Sequence, residues 1–136
     1  DRIVFLSDYA HHPKEIYQSA RSICELYKDK HITAIFQPHL YTRTRDFYKD
    51  FADALSQLDE VVLTEIYPAR ELPIEGVTSQ LIYDNLKKGV KKEMIRKDEV
   101  LNYVKNHKFE VLIVLGAGDL DNQVPQITEI LNSKIK

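Results

Sequence analysis

The residues best equipped for chemistry in this chain gather in two short polar runs, each following an apolar one. Ser7-Asp8-Tyr9-Ala10-His11-His12-Pro13 comes after Ile3-Val4-Phe5-Leu6 and sets a carboxylate, a phenol and two imidazoles ahead of an amphipathic segment. Gln37-Pro38-His39-Leu40-Tyr41-Thr42-Arg43-Thr44-Arg45 follows the apolar run at 32–36 and adds an imidazole, a phenol and two guanidiniums. In an open α/β sheet, the turn at the carboxyl end of a strand is where nucleotides and phosphates are held, because free N–H groups of the next helix face the ligand. Two such turns from neighbouring strands can converge on one ligand.

Each of these residues also has a plainer use. Asp8 can accept from ribose hydroxyls or cap the next helix. His11 and His12 stand at a helix entrance, where the dipole favours an anion; both can donate to phosphate, but for His12 a capping role is the better reading. Arg43 can grip a carboxylate or phosphate bidentately. Arg45, next to Asp46 at a helix start, reads as a surface ion pair of little energetic worth. Tyr9 and Tyr41 can stack or donate, yet with eight tyrosines in the chain neither stands out on type alone.

Gly116-Ala117-Gly118-Asp119 has Asp121 where a dinucleotide fingerprint needs its third glycine, and it follows the last strand. That argues against a nicotinamide dehydrogenase and for a tight turn letting backbone or Asp119 approach a bound group. Glu65-Ile66-Tyr67-Pro68-Ala69-Arg70 ends a third strand and either lines the same crevice or forms a rigid loop. There is no Walker A loop, no GxSxG elbow and no zinc-ligand spacing, so no metal site is assigned.

Short apolar runs alternate with segments of helical period. Strands are predicted at 2–6, 32–36, 61–66, 92–95 and 109–115, the second of the type buried on both faces. Between them, Pro13 suits a helix N1 position and opens a helix to residue 28. Thr44 is placed to cap a helix with Phe47, Phe51, Ala54, Leu55 and Leu58 on its inner face. Thr78 and Asp98 are placed to cap two more helices, and a last one runs from about Val124 with Pro125 in its first turn. Five αβ units in alternation predict a Rossmann-like three-layer αβα domain with a mostly parallel sheet, spanning residues 1–136 as one domain.

Composition narrows the function. A hydrophobic content of 43% with 29% charged residues fits a folded globular chain. A formal charge of −2 and no basic stripe along the sequence argue against nucleic acid or an anionic membrane as partner. The lone Cys24 reads as a small buried apolar residue, and one cysteine points to a reducing, cytoplasmic setting. No apolar run approaches the roughly 20 residues of a membrane span. The abrupt start, Asp1-Arg2 leading straight into a strand, reads as a domain cut from something longer.

Taken in order, Asp8-Tyr9-Ala10-His11-His12-Pro13, then Phe36 through Asp46, Glu65-Ile66-Tyr67-Pro68-Ala69 and Gly116-Ala117-Gly118-Asp119 resemble the C-terminal domain of the Mur ligases over essentially the whole chain. The second motif is the specific one and points to the alanine-adding branch; the first is shared with related amide ligases, including folylpolyglutamate synthetase in looser form. The resemblance implies an ATP-dependent, ADP-forming C–N ligase of peptidoglycan synthesis. A muramate carboxylate is phosphorylated to an acyl phosphate, which the L-alanine amine then attacks. It further implies that the UDP-N-acetylmuramate domain and the central P-loop domain, which binds most of the ATP and Mg, are absent from this chain. The fragment alone is therefore expected to be inactive.

Carried over by motif position, Asp8, Tyr9 and His11 are implied as nucleotide-binding. Tyr9, His39 and Arg43 are implied around L-alanine, with His39 and Arg43 as the catalytic pair. Leu40 stands where many members carry a second arginine, leaving the grip to Arg43, and Ser7 stands where they often carry another aspartate. The alternative in another class is a stand-alone nucleotide- or phosphometabolite-binding module without catalysis. A purely structural interaction domain explains the donor-rich turns at strand ends poorly.

Overall fold

The structure, a computed structural model, describes residues 2–134. Five strands form one sheet in the order β1-β5-β2-β3-β4, with β1 at Val4–Asp8, β2 at Ile32–Phe36, β3 at Glu60–Leu63, β4 at Lys91–Met94 and β5 at Val111–Leu115. Every pairing is parallel, so the sheet is more uniform than the mostly parallel one predicted. The central strands β2 and β5, Ile-Thr-Ala-Ile-Phe and Val-Leu-Ile-Val-Leu, are buried at every position, as strands covered on both faces must be. The outer strand β4, Lys-Lys-Glu-Met, is mostly exposed, and its charges discourage pairing with another chain.

Helices α1 (Pro13–Leu26), α2 (Tyr41–Leu55) and α3 (Gln80–Asn85) cover one face, burying Ile16, Ala20, Phe51, Leu55 and Ile82 against Phe36, Leu63 and Ile113. Helices α4 (Val100–Asn106) and α5 (Val124–Lys134) cover the other, where Val104, Ile127 and Leu131 meet Ile35, Leu112 and Val114. These are the three layers predicted. Among the described residues no helix is long and apolar enough to cross a membrane.

Several boundaries move for identifiable reasons. β1 lies two residues later than predicted, because pairing with β5 continues through Ser7 and Asp8. β3 begins at Glu60 rather than Val61 and stops at Leu63, and β5 begins two residues after Phe109. Thr44 does not cap α2; the helix already starts at Tyr41, and the buried Thr44 hydroxyl donates to the Leu40 carbonyl at 2.9 Å. Asp98 falls inside a 3-10 turn, Lys97–Glu99, ahead of α4. Thr78 caps α3 as expected, its hydroxyl accepting from the Gln80 N–H at 3.2 Å, while the adjoining Ser79 turns its hydroxyl to the Thr64 carbonyl. Cys24 is only half-buried, its thiol donating to the Gln57 carbonyl at 3.3 Å.

The sheet order is what builds a site. β5 returns between β1 and β2, so the turn leaving β5 is wedged between the two polar turns at the same carboxyl edge. The Gly116 N–H donates to the Asp8 carbonyl at 3.2 Å, and the Gln37 N–H donates to Leu115 at 3.1 Å. This is the kind of strand-order reversal at which open α/β sheets place their ligands.

Candidate functional site

The turn after β2 is held by what lies beneath it. Gln37 is 1% exposed; its amide donates to Asp119 at 2.7 Å while its side-chain oxygen accepts from the Leu120 N–H at 2.8 Å. The second Asp119 oxygen accepts from Lys97 Nζ. Burial pushes the Asp119 carboxyl up, but hydrogen bonds from Lys97 and Gln37 outweigh it and hold the group below its ordinary value. The glycines are needed for this packing. A Cβ on Gly118 would lie 2.5 Å from the Gln37 side-chain oxygen and 2.7 Å from Tyr67, and one on Gly116 (φ +137°) would lie 2.8 Å from the Gln37 carbonyl. Asp119 is thus an internal clamp, with both carboxylate oxygens engaged by Gln37 and Lys97.

Above the clamp, Leu40 adopts φ 75° and ψ 137°, a strained setting for a residue with a Cβ. Three hydrogen bonds hold it there. Its N–H donates to the Tyr67 carbonyl at 2.8 Å, the Tyr67 N–H donates to Pro38 at 2.8 Å, and the Thr44 N–H donates to the Leu40 carbonyl at 3.2 Å. The start of α2 is capped from a distance. Glu71 accepts from the backbone N–H groups of Tyr41 (2.6 Å) and Thr42 (3.1 Å) and from the Thr42 hydroxyl (2.5 Å). The Thr42 hydroxyl is the main reason the Glu71 carboxyl lies below its ordinary 4.5, with the two N–H groups adding to it. A folded value below the unfolded one means stability present above pH 4.5 and lost as pH falls through the lowered value. Glu71→Gln is expected to lower Tm by roughly 3–5 °C at neutral pH and to flatten the acid limb of stability, read by thermal melts between pH 3 and 7.

On this frame the predicted residues meet. The His11 ring lies 5.7 Å from the His39 ring, edge to face, and the Tyr9 ring lies 6.4 Å beyond His11. His39 stacks on Tyr67 at 5.6 Å, and its Nδ1 is 3.0 Å from Arg43 Nη1. Tyr9, 60% exposed, and Arg43 therefore share one rim. A guanidinium has only donors, so His39 must accept at Nδ1, which places its proton on Nε2 and leaves it neutral. Burial, then Arg43 and His11, push the His39 pKa below its ordinary 6.5 against a weaker opposite pull from Glu71. The contribution of the His39–Arg43 bond is complete above 6.5 and lost as pH falls through the lowered value. An NMR titration is expected to place the His39 midpoint below 6.5, and Arg43→Ala to move it up.

The remaining candidates separate. Asp8 does not cap α1; its carboxylate accepts from the Ala10 N–H at 3.0 Å and from the Ser19 hydroxyl, fixing the first turn and leaving lone pairs on both oxygens. His12 is the N-cap residue, but Glu15 supplies the bonds, accepting from the His11 and His12 N–H groups at 3.1 and 3.0 Å. Arg45 pairs with Asp46 at 2.9 Å on the surface, as predicted. Tyr41 and Glu65 turn away to line a separate cavity of about 290 Å³ beneath the ends of β3 and β4. Among the described residues no group of three or more His, Cys, Asp or Glu side chains is arranged to hold a metal. Sequence reading missed Glu71 and Lys97, which act through partners 29 and 22 residues away and leave no local signal.

Residues 1–119 match the family described as Mur ligase, glutamate ligase domain. The chain is 66% identical over 134 residues to the UDP-N-acetylmuramate–L-alanine ligase of Phocaeicola vulgatus, covering 98% of this chain and 29% of that protein. The crystal structure of a UDP-N-acetylmuramate-alanine ligase from Thermotoga maritima superposes with a TM-score of 0.74 at 29% identity, over 97% of this chain and 27% of that one. A Haemophilus ducreyi domain from a putative UDP-N-acetylmuramate:L-alanyl-γ-D-glutamyl-meso-diaminopimelate ligase shares the fold at TM-score 0.64 and 19% identity, over 95% of this chain and 91% of that solved chain. The chain spans less than a third of the length of the curated relatives it matches. It belongs to the Mur ligase family and carries that family's glutamate ligase domain.

Proposed function

We propose that residues 1–136 form the amino-acid-binding and closing domain of an ATP-dependent, ADP-forming ligase joining L-alanine to UDP-N-acetylmuramate in peptidoglycan synthesis, in the cytoplasm. The observation that carries this reading is the meeting of the two polar turns, where His11 faces His39 and Arg43 donates to His39. The similarity to alanine-adding ligases supports the choice of amino acid.

In this reading the UDP-sugar, the phosphate cradle and the magnesium ligands belong to other domains of the longer protein. ATP supplies the phosphoryl group that activates the muramate carboxylate. Asp8 is suited to the ribose, because both carboxylate oxygens keep an acceptor site after binding Ala10 and Ser19. Tyr9 and His11 line the nucleotide side of the cleft.

Arg43 keeps four of its five N–H donors after binding His39, enough to take the alanine carboxylate as a fork. The neutral His39 offers its Nε2–H as a donor toward charge developing on the reacting carboxyl. When the amine nitrogen bonds to the acyl carbon, the phosphate leaves with the C–O electron pair and the nitrogen sheds its proton to solvent. These residues align and stabilise; none has to become a covalent nucleophile.

The test is ADP release by the longer protein given UDP-N-acetylmuramate and a panel of amino acids. L-alanine should give the highest kcat/KM, and dependence on no amino acid at all would reject the reading. The 136 residues alone should bind ATP weakly; tight ATP binding by the fragment would favour a non-catalytic nucleotide module instead.

A further inference from the structure

The chain has a net charge of −2 and no basic run in sequence, yet folding collects cations around one cavity at the amino edge of the sheet. This cavity, about 1010 Å³, lies at the opposite end of the strands from the rim of Tyr9 and Arg43. Arg2 comes from the segment before β1, Lys30 from the α1–β2 turn, Lys105 and Lys108 from the end of α4, and Lys134 from α5. The single lining carboxylate, Glu110, accepts from the His31 N–H at 2.5 Å. Among the described residues Arg2, Lys30, Lys105 and Lys108 form no ion pair, so the one carboxylate of the lining leaves their charges uncompensated.

We infer that this cavity is a binding site for a compact, multiply phosphorylated small molecule. Four unpaired cations converging from three segments repel one another, and a polyanion removes that cost while releasing their counterions. The wall is already fixed, because Lys134 donates to the Val104 and His107 carbonyls and ties α5 to the end of α4. Its volume is that of a small-molecule site. Nucleic acid fits less well: the lining Phe109 is buried beneath Lys134, and the cavity is lined by no exposed tyrosine or phenylalanine on which bases could stack. The ligand is therefore recognised through its phosphates.

Inorganic tripolyphosphate is the probe, titrated into the 136-residue chain by calorimetry at about 20 mM salt, where screening is weak. Saturable one-to-one binding is expected. It should weaken at least tenfold in the double variant K105E/K108E and severalfold in K30E, with both variants keeping the parent's melting profile because these side chains are exposed. Arg43→Ala should leave it unchanged. Absence of saturable binding, binding that survives K105E/K108E and K30E, or binding that Arg43→Ala abolishes would each overturn the site.

Discussion

Under the proposed function, Arg43→Ala in the longer protein is expected to raise KM for L-alanine roughly 30- to 150-fold, the equivalent of about 2–3 kcal/mol for a lost charge-assisted carboxylate pair. The size assumes that Arg43 carries the grip, since Leu40 occupies the position where a second arginine would stand and Arg45 is committed to Asp46. KM for ATP should change much less, because the nucleotide side is assigned to Asp8, Tyr9 and His11. Arg43→Lys should recover only part of the loss: an ammonium keeps the charge but cannot hold both carboxylate oxygens and His39 in one plane. Initial-rate ADP release at varied L-alanine decides the matter, and an unchanged alanine KM would remove Arg43 from the role.

Gly118→Ala should be strongly destabilising, costing about 3 kcal/mol and lowering Tm by roughly 10 °C. The new Cβ would overlap both the Gln37 side-chain oxygen and the Tyr67 Cβ, and neither can retreat cheaply. Gln37 would have to abandon Asp119 and the Leu120 N–H, leaving buried polar groups unpaired. Tyr67 would have to slide off His39 and loosen the carbonyl that holds Leu40. Thermal and urea unfolding of the 136-residue chain measure the effect. A variant melting within about 2 °C of the parent would show that the Gln37–Tyr67 packing is soft, and with it the rigidity ascribed to the second turn.

Much of this protein is legible in its residues. The continuous apolar runs at Ile32–Phe36 and Val111–Leu115 can only be strands buried on both faces, and they form the two central strands of the sheet. Pro13 at a helix start and the periodic burial of Ile16, Ala20 and Ile23 define α1 from local chemistry. Period and covalent constraint act over a few residues, so they survive without knowledge of what lies across the sheet.

What escaped is long-range. That β5 inserts between β1 and β2, bringing the glycine turn under the two polar turns, is a matter of strand order, which no local pattern encodes. The glycines read as a tight turn, but that they make room for Gln37 and Tyr67 is visible only in three dimensions. Thr44 looked like a cap, but a carboxylate 30 residues past Tyr41 does that work. The cations of the amino edge are scattered through a chain of net negative charge and become a patch only when four chain segments close around one cavity. Residue type and spacing determine which elements form and which groups are capable of chemistry. Which groups meet depends on hydrogen bonds and packing between distant segments, and those exist only once the sheet has assembled.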